Sequence, residues 1–391
     1  MFRVRIVDKI DKEGLELFGG NYAVSAAEPD PDAIVVRSSE IDTDAWPSLL
    51  AVARAGAGVN NITVKKATSR GVCVLNAPGA NANAVAELVF IMLGISARNI
   101  HLGIDFCKGL AGLPEASLRE KVEARKKEFR GFELAGKRLA VLGLGQIGLR
   151  VANAGLSHGM RVIGFDPFPS LANIHQLSAE VELARSMNEL LAGAEILTLH
   201  VPLSNKTRGL VSTDFLAGLK DGTILINYSR GEIADERAIL AALDSGKLAG
   251  YLTDFPSAAL VGHPRVICSP HLGASTSESE EQCARIAVGQ LKAYLEYGSV
   301  GRSVNFPTAE SIPAANVHSR LIMINKDVPG MIGFASQAIG DGNVNIASYL
   351  NESNGVIGYN IIDVESAIPE AVLAVIDKHP GVVRTRIINY G

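Results

Sequence analysis

The chain has 391 residues, of which 47% are hydrophobic and 20% charged, as is usual for folded domains. This length is enough for roughly two to four domains with separate cores. The formal net charge of −4 at pH 7 gives no reason to expect nucleic-acid binding. No apolar run reaches the roughly 20 residues of a membrane helix, so no membrane association is expected.

The N-terminus, MFRVRIVDKI, alternates like a strand and lacks the apolar block and cleavage site of a signal peptide. The four cysteines are scattered and form no CxxC pair, which favours free thiols in a reducing compartment: Cys73, Cys107, Cys268 and Cys283. The histidines show no metal-ligand spacing. The sequence therefore predicts a cytoplasmic protein without a metal site.

From residue 1 to about 98, short apolar segments alternate with helical ones. The apolar segments are AIVVRSS, LLAVARAGAG and GVCVLNAPG, and the helical ones are ITVKKATSRG and AVAELVFIMLGISARNI. Strands that alternate with helices predict a parallel sheet with helices on both faces. The charged segment that follows, LREKVEARKKEFRGF, is predicted to be a helix with a solvated face.

The next region, from about 137 to 285, repeats strand and helix more clearly, with strands at RLAVLGLG, MRVIGFDP, ILTLHVPL, GTILINYS, GYLTDF and PRVICSP. This pattern predicts a doubly wound parallel sheet.

After the linker FPTAESIPAA, the order becomes strand, helix, strand, strand, helix, strand. A βαββαβ order in a short chain predicts a small ferredoxin-like unit.

The motif GLGQIG follows an apolar strand and opens a helix, with glycines at Gly143, Gly145 and Gly148. The first glycine permits a tight turn, the second lets the backbone approach a pyrophosphate, and the third allows close packing of helix and strand. The helix N-terminus then offers N–H groups to the phosphates. Asp166 ends the next strand, 23 residues after Gly143, where a carboxylate would bind both ribose hydroxyls and repel a 2′-phosphate. The motif predicts NAD rather than NADP.

Two more strand ends point to the edge of the sheet where doubly wound proteins bind ligands. In INYSRG, Arg230 follows a strand and has the fork of donors that grips a carboxylate. In SPHLGAST, His271 follows another strand. Oxidation of a hydroxyl carbon by hydride transfer needs a base for the O–H proton, and histidine titrates in the suitable range.

Taken together, GLGQIG, Asp166, HVPL, INYSRG, TDF and PHLGAST resemble the D-isomer-specific 2-hydroxyacid dehydrogenases in order and spacing. Within that family, ARAGAGVNNITV, PGANANAVAE and a C-terminal unit with an NKDVPG turn resemble the D-3-phosphoglycerate dehydrogenases that carry an ACT domain. The resemblance covers almost the whole chain. It implies a Rossmann-type NAD-binding domain, a flavodoxin-like α/β substrate domain and an ACT-like domain.

The resemblance also implies domain limits. Residues 1–98 and a returning segment, 286–308, would form the substrate domain, with the NAD-binding domain at 99–285 and the ACT-like domain at 317–391. The active site would lie in a cleft that closes at a hinge and excludes water. A homodimer or homotetramer is expected by analogy only.

By the same resemblance, Arg230 is the carboxylate anchor, His271 the acid/base, and Asp254 a contact of the nicotinamide amide. Other residues are expected to bind the cofactor, substrate or its phosphate. They are Gln146, Ile147, His200, Pro202 and Thr207 for NAD; Ala57, Gly58 and Asn81 for the substrate; and Arg54, with Arg37 as a weaker candidate, for the phosphate.

One departure from the family concerns the histidine. Relatives carry a glutamate between the TDF segment and the histidine, which orients the imidazole and stabilises its protonated form. Residues 255–270 contain no acid in this chain, and the expected position is Ala259. We expect the neutral imidazole, which alcohol oxidation requires, to persist to lower pH, and ketone reduction in alkaline solution to suffer.

A second departure lies in the C-terminal unit. ACT domains of this family bind serine through a histidine and an asparagine at the first turn and an asparagine on the second strand. The corresponding residues of this chain are Asn325, Asp327 and Asn345, of which only Asn345 matches. An amino-acid effector site and a module that only joins subunits are both open alternatives.

The leading functional hypothesis is NAD-dependent oxidation of D-3-phosphoglycerate, in the phosphorylated route to serine. A reductase of glyoxylate, hydroxypyruvate or another 2-oxo acid would be distinguished by whether the phosphate on the substrate matters. A third hypothesis is an NAD-binding sensor that lost catalysis with the glutamate. The presence of both Arg230 and His271 argues against this third hypothesis.

Overall fold

The structure is a computed structural model that describes residues 1–390. The chain divides into two compact units. The central unit is Ala82–Thr276, and the flanking unit combines residues 1–81 with the chain from Ser277 onward.

Short strands and helices alternate along much of the chain. Residues 1–81 contain β1 (Phe2–Ile6), α1 (Lys12–Leu15), β2 (Tyr22–Ser25), β3 (Ala33–Val36), β4 (Ala51–Arg54), α2 (Val64–Ser69) and β5 (Cys73–Asn76). The central unit contains α3 (Ala82–Ala97), α4 (Ile100–Lys108), α5 (Glu115–Arg125), β6 (Arg138–Leu142), α6 (Gln146–Ser157), β7 (Arg161–Phe165), α7 (Leu171–Ile174), β8 (Glu182–Leu183), α8 (Met187–Ala192), β9 (Ile196–Leu199), α9 (Thr213–Ala217), β10 (Thr223–Asn227), α10 (Glu236–Asp244), β11 (Leu248–Thr253) and β12 (Val266–Cys268). The rest contains α11 (Ser277–Tyr297), β13 (Ser319–Lys326), α12 (Met331–Asp341), β14 (Ile346–Ser353), β15 (Ile357–Val364), α13 (Glu370–Asp377) and β16 (Val382–Asn389).

The central unit is built on a parallel sheet of seven strands in the order β12-β11-β10-β9-β6-β7-β8. Its inner strands are buried along their whole length, as in β9 and β10, because helices cover both faces. The six predicted strands are confirmed, and β8 is an addition. The strand order reverses between β6 and β9, which is the ligand-binding switch point of doubly wound sheets.

Helix α3 belongs to the central unit. Its buried residues Val85, Val89 and Leu93 share one core with Leu139 and Val141 of β6. The division of the chain therefore falls after residue 81, and the predicted limit at residue 98 is corrected. Helix α3 lies in the central unit because its apolar residues pack on the Rossmann-type sheet of that unit.

The flanking unit begins with a second parallel sheet in the order β2-β1-β3-β4-β5. This order is flavodoxin-like, as predicted. The long helix α11 returns to it and packs Ala287 and Leu291 into the same core as Val4 and Leu75. The return begins at Ser277, earlier than the predicted residue 286, because α11 is one continuous helix.

The C-terminal module, residues 317–390, has the predicted βαββαβ order and an antiparallel sheet, β14-β15-β13-β16. One face of β13, with Leu321 and Met323, packs under α12 and α13. The other face contributes Ile322 and Ile324 to the core that contains Val4 of the first sheet. The module thus shares a core with the rest of the flanking unit instead of standing as a separate domain.

Buried arginine contacts reinforce this junction. Arg320 is fully buried and donates to both carboxylate oxygens of Asp363, at 2.6 and 2.9 Å. Its Nη1 also donates to the carbonyls of Tyr297 and Ser311. Arg386 donates to the carbonyl of Tyr294, near the end of α11. Tyr294 and Tyr297 lie in the last turn of α11, so both guanidinium groups donate to carbonyls at the C-terminal end of this helix.

Within residues 1–390, no single helix is long and apolar enough to cross a membrane. Helices α3 and α4 taken together have the length and composition of a membrane span, but they are bent by 64° relative to each other. The same residues contain no group of three or more His, Cys, Asp or Glu side chains placed to hold a metal ion.

Candidate active site

The glycine turn after β6 is shaped by close backbone contacts. Gly143 has a φ of +93°, and a Cβ there would lie 2.5 Å from the carbonyl oxygen of His200. A Cβ on Gly148 would overlap the carbonyl oxygen of Gly143. Only glycine allows this approach of α6 to the strand, which is the packing that the motif predicted.

Gly145, unlike the other two glycines of the motif, has open space around it. It caps α6 without a side-chain hydrogen bond, and a Cβ there would meet nothing within 4 Å. The space in front of the first N–H groups of this 12-residue helix is therefore open. An open cradle at a helix N-terminus fits the pyrophosphate of a dinucleotide.

This contrast leads to a first prediction for two alanine variants. We expect Gly145→Ala to fold normally but to lower NAD affinity on the order of tenfold, because the methyl group fills the cradle. Gly148→Ala is expected to lose about 3 kcal/mol of stability through overlap with Gly143. Urea denaturation and NAD titration of both variants measure the two effects. Equal stability losses in the two variants would contradict this assignment.

Asp166 follows β7 and is tied to the glycine turn. Its Oδ2 accepts a hydrogen bond from the backbone N–H of Leu144, and its Oδ1 accepts one from Phe168, both at 2.9 Å. These bonds hold the carboxylate beside the open cradle of Gly145. The predicted ribose contact stays a prediction, and the geometry is suitable for it.

The loop after β9 contains His200, Pro202 and Thr207. The His200 Nε2 lies 2.9 Å from the hydroxyl of Thr198, and burial lowers the pKa of His200 to about 3. This imidazole is therefore neutral in ordinary buffers and shapes the turn. The Thr207 hydroxyl donates to the Pro202 carbonyl at 2.6 Å and accepts from the N–H of Ser204, so it stabilises its own loop.

Gln146 and Ile147 begin helix α6 next to the cradle. The Gln146 amide donates to the side chain of Asn173 at 2.7 Å, and its oxygen accepts from Arg150. Ile147 is half-buried and packs at the edge of the central core. For both residues, the backbone N–H at the start of α6 is the group available to a phosphate.

Arg230 stands just beyond β10, as predicted. The buried Asn227 holds the turn by donating to the carbonyl of Arg230 at 2.9 Å and accepting from the N–H of Ser229. The half-buried guanidinium of Arg230 donates through Nη1 to the Ser229 carbonyl at 2.6 Å. No ion pair with another residue of the central unit occupies it, so its other donors are suited to a carboxylate.

Asp254 follows β11 and is 1% exposed. Its Oδ2 accepts from the backbone N–H of Gly273 at 3.1 Å, whereas Oδ1 is buried without a hydrogen-bond partner in the described chain. Burial raises the pKa of Asp254. A buried acceptor without a donor is costly, and the carboxamide N–H₂ of a nicotinamide is a donor that would satisfy it.

A second prediction concerns the stability of the protein without NAD. Because the folded-state pKa of Asp254 is raised, the unfolded chain ionises this group more easily. Its contribution to stability therefore becomes less favourable as pH rises above about 4 towards the folded-state pKa. Asp254→Asn has no such titration. We expect urea denaturation to show the variant gaining stability relative to the original chain as pH rises, and a constant difference would contradict this.

His271 stands beyond β12 with a left-handed backbone, φ +53°. Its N–H is shared between the carbonyls of Asp254 and Ser269, each at 3.0 Å. The imidazole is exposed and makes an edge-to-face contact with Phe255, with ring centroids 4.9 Å apart. Within the central unit, no carboxylate is bonded to this ring, and Ala259 lies exposed in the turn after Phe255.

The neighbouring positions of Arg230, Asp254 and His271 follow from the sheet. They come after β10, β11 and β12, which are adjacent and parallel, so their carboxyl ends meet at one edge. Phe255 was missed as a functional candidate, although it is the F of the TDF motif. No local sequence signal indicates that its ring would lie against the histidine.

The flanking unit holds the predicted substrate residues near the ends of β4 and β5. The Nε of Arg54 donates to the carbonyl of Arg37 at 2.9 Å, and its guanidinium covers Gly56, where a Cβ would overlap Nη1. Arg37 forms an ion pair with Glu280 at 2.7 Å. This pairing makes Arg37 a weaker phosphate candidate than Arg54, and its contact with phosphate stays a prediction. Arg54 stays a prediction.

The other three predicted substrate residues lie in turns of the same unit. The carbonyl of Ala57 accepts from the Asn76 amide at 2.6 Å, which fixes the turn after β4. Gly58 is half-buried beside it, and Asn81 is the half-buried residue before α3. Their proposed contact with the substrate stays a prediction.

The three possible effector residues do not form one open site. Asn325 is 2% exposed, donates to the carbonyl of Lys326 and accepts from the Asn360 amide at 2.7 Å. Asp327 is exposed, whereas the Asn345 amide is bonded to Glu365 at 2.8 Å. Cross-strand pairing with Asn360 engages the Asn325 amide, and the predicted role of these residues in binding an effector stays a prediction.

Comparison with known proteins agrees with this geometry. The family described as "D-isomer specific 2-hydroxyacid dehydrogenase, NAD binding domain" matches residues 101–273. A D-3-phosphoglycerate dehydrogenase from Haemophilus influenzae is 32% identical over 360 residues, covering 88% of this chain and 82% of that protein. The chain belongs to the D-isomer-specific 2-hydroxyacid dehydrogenases. It contains the NAD-binding domain of this family.

Two further relatives are informative. A D-3-phosphoglycerate dehydrogenase from Bacillus subtilis is 35% identical over 328 residues, which cover 78% of this chain. The chain spans only 59% of the length of that relative. The NAD⁺-bound 3-phosphoglycerate dehydrogenase of Entamoeba histolytica has a TM-score of 0.62 and 24% identity, covering 78% of this chain and 98% of that one. At this identity, the likeness shows a shared fold.

Proposed function

We propose that the protein oxidises D-3-phosphoglycerate to 3-phosphohydroxypyruvate with NAD, as the first step of a phosphorylated route to serine. The main support for the proposal is the position of three side chains. Arg230, Asp254 and His271 lie at one edge of the sheet, which also holds the open glycine turn. The names of the Haemophilus and Bacillus relatives support the choice of substrate.

The chain's residues fit NAD at this edge. The backbone at Gly145 and the start of α6 would hold the pyrophosphate, Asp166 the ribose hydroxyls and Asp254 the carboxamide. When bound, NAD supplies a hydride acceptor. The rest of the chemistry is performed by side chains of the chain itself.

Arg230 would hold the substrate carboxylate with two N–H groups and orient the adjacent C2 carbon. As the C2 hydrogen leaves with its electron pair, the hydroxyl O–H bond breaks and the C2–O double bond forms. A ring nitrogen of neutral His271 accepts the released proton. The products are then the 2-oxo acid, the reduced cofactor and a protonated imidazole, which returns its proton to water.

The phosphate of the substrate would be held by Arg54. Its guanidinium is kept in place by the carbonyl of Arg37 and by close contact with Gly56. Arg37 is paired with Glu280, so Arg54 is the preferred phosphate ligand. An arginine with a fixed orientation loses less entropy on binding an anion than a mobile one.

A third prediction follows from the missing glutamate. A carboxylate near His271 would stabilise the protonated imidazole, so the midpoint of the rate profile for oxidation in Ala259→Glu should move about one pH unit towards alkaline. Ala258→Glu tests the adjacent exposed position in the same turn. An unchanged midpoint in both variants would contradict the hypothesis that His271 works without a carboxylate partner.

The proposed function is tested by NADH formation with D-3-phosphoglycerate and, separately, with D-glycerate over neutral and alkaline pH. Turnover of the phosphorylated acid alone supports the proposal. Turnover of both acids at equal efficiency would favour a reductase of unphosphorylated 2-oxo acids. NAD binding without turnover would favour a sensor, because His271 lacks the usual carboxylate partner.

A further inference from the structure

The surroundings of His271 raise the question of what orients its ring. A catalytic imidazole must be held at a defined angle to the reacting hydroxyl. Relatives in this family are expected to use a glutamate, but residues 255–270 contain no acid. Asp254 is close, yet its Oδ2 is bonded to Gly273 and its Oδ1 has no partner within the described chain. Neither oxygen is bonded to the imidazole.

The ring that does contact the imidazole is Phe255. The two ring centroids lie 4.9 Å apart with an interplanar angle of 60°. This edge-to-face arrangement is the favoured geometry for aromatic pairs. The contact is also local, because Phe255 follows Asp254 directly and the carbonyl of Asp254 accepts the N–H of His271 at 3.0 Å. One short segment therefore holds both the backbone and the ring of His271.

Phe255 is itself held in place from two sides. Its N–H donates to the hydroxyl of Thr253 at 3.2 Å. On the other side it packs against Gly231, where an added Cβ would lie 3.2 Å from the Cβ of Phe255. Gly231 immediately follows Arg230, so the phenyl group lies between the turn that carries the arginine and the histidine. A ring that contacts both segments can keep their spacing constant.

We infer that Phe255 is the positioning residue of this active site and orients His271 in place of a carboxylate. The inference rests on the proposed function and adds to it the residue that holds the base. A phenyl ring differs from a glutamate side chain in its charge. It carries no charge and forms no hydrogen bond, so it can fix the angle of the imidazole only through ring contact.

The test compares Phe255→Leu with Phe255→Tyr in the full chain. Leucine keeps apolar volume but removes the ring, and we expect kcat to fall about tenfold or more with KM changed by less than about threefold. The pH midpoint of kcat should stay where it is, and the isotope effect with substrate deuterated at C2 should rise. Phe255→Tyr keeps the ring and should stay within about threefold of the original kcat. Leu and Tyr variants with equal kcat would overturn the inference.

A matched control is available in the central unit. Phe90 contacts His158 with ring centroids 4.5 Å apart, in a pair that plays no part in the proposed site. Phe90→Leu also removes a contact between a phenyl ring and an imidazole, in this case a stacked one, and its kcat should be unchanged. An equal loss of kcat in Phe90→Leu and Phe255→Leu would show a general effect on folding and overturn the inference.

A second readout separates failure of the inference from failure of the proposed function. The ring protons of His271, assigned by their loss in His271→Gln, should show the ring-current shift of a neighbouring phenyl group. We expect this shift to disappear in Phe255→Leu and to persist in Phe255→Tyr. If the protein turns over no 2-hydroxy acid, the NMR result still decides the question, and an unchanged His271 spectrum in Phe255→Leu would overturn the inference.

Discussion

Replacing His271 by glutamine is expected to lower kcat for D-3-phosphoglycerate oxidation by about 10²- to 10⁴-fold. Glutamine keeps a polar side chain of similar reach but cannot take the hydroxyl proton. Since the His271 side chain is exposed, its loss should leave the free energy of unfolding nearly unchanged. Steady-state kinetics and urea denaturation of the same preparation measure both quantities.

The control for this variant is NAD binding. The proposed cofactor contacts come from the glycine turn, Asp166 and Asp254, so His271→Gln should bind NAD as tightly as the original chain. A kcat within tenfold of the original would mean that another group takes the proton. Loss of NAD binding together with activity would show that the substitution disturbed the Asp254–His271 backbone contact.

The second large effect is expected at the buried ion pair of the C-terminal module. Asp363→Ala leaves the guanidinium of Arg320 buried without its carboxylate, and such a loss costs about 3–5 kcal/mol. Because β13 shares its core with the rest of the flanking unit, the loss should affect the unfolding of that whole unit. Urea denaturation followed by circular dichroism measures it.

Two further variants test whether the loss in Asp363→Ala comes from the buried ion pair. The double variant Arg320→Met with Asp363→Leu removes both charges, and we expect it to be more stable than Asp363→Ala alone. Asp221→Ala breaks an exposed pair with Lys247 and should cost at most about 1 kcal/mol. If Asp363→Ala costs no more than Asp221→Ala, then Arg320 does not anchor the module.

Much of the fold was predictable because its strands are short, apolar and separated by helices. The two parallel sheets and the βαββαβ module were predicted from that alternation. The strands β2 and β8 were missed because β2 is a partly exposed edge strand and β8 has only two residues, both exposed. Neither provides the buried apolar run on which recognition of a strand depends.

The packing of the C-terminal module could not be predicted from local pattern. Strand β13 is buried on both faces, and its sequence LIMI does not indicate which element covers the second face. The burial of Arg320 within it depends on pairing with Asp363, 43 residues away, which no local pattern indicates. Long-range pairing likewise decides the burial of Asn325 against Asn360.

The candidate site was predicted where backbone conformation constrains the residue type. Gly143 and Gly148 are glycines because a Cβ would collide with neighbouring backbone, and this requirement is visible in the motif. Arg230 and His271 were predicted from their position after strands. The contact of Phe255 with His271 depends on the side-chain directions of two segments, and no spacing rule describes it.

We propose that this chain removes the C2 hydrogen of D-3-phosphoglycerate as a hydride while His271 takes the hydroxyl proton. D-3-phosphoglycerate deuterated at C2, with mass spectrometry of both products, tests this transfer. We predict that the deuterium appears in NADH, that the 2-oxo acid keeps its phosphate, and that both signals are nearly lost in His271→Gln. NADH without deuterium, or deuterium transfer that is unaffected by His271→Gln, would contradict the claim.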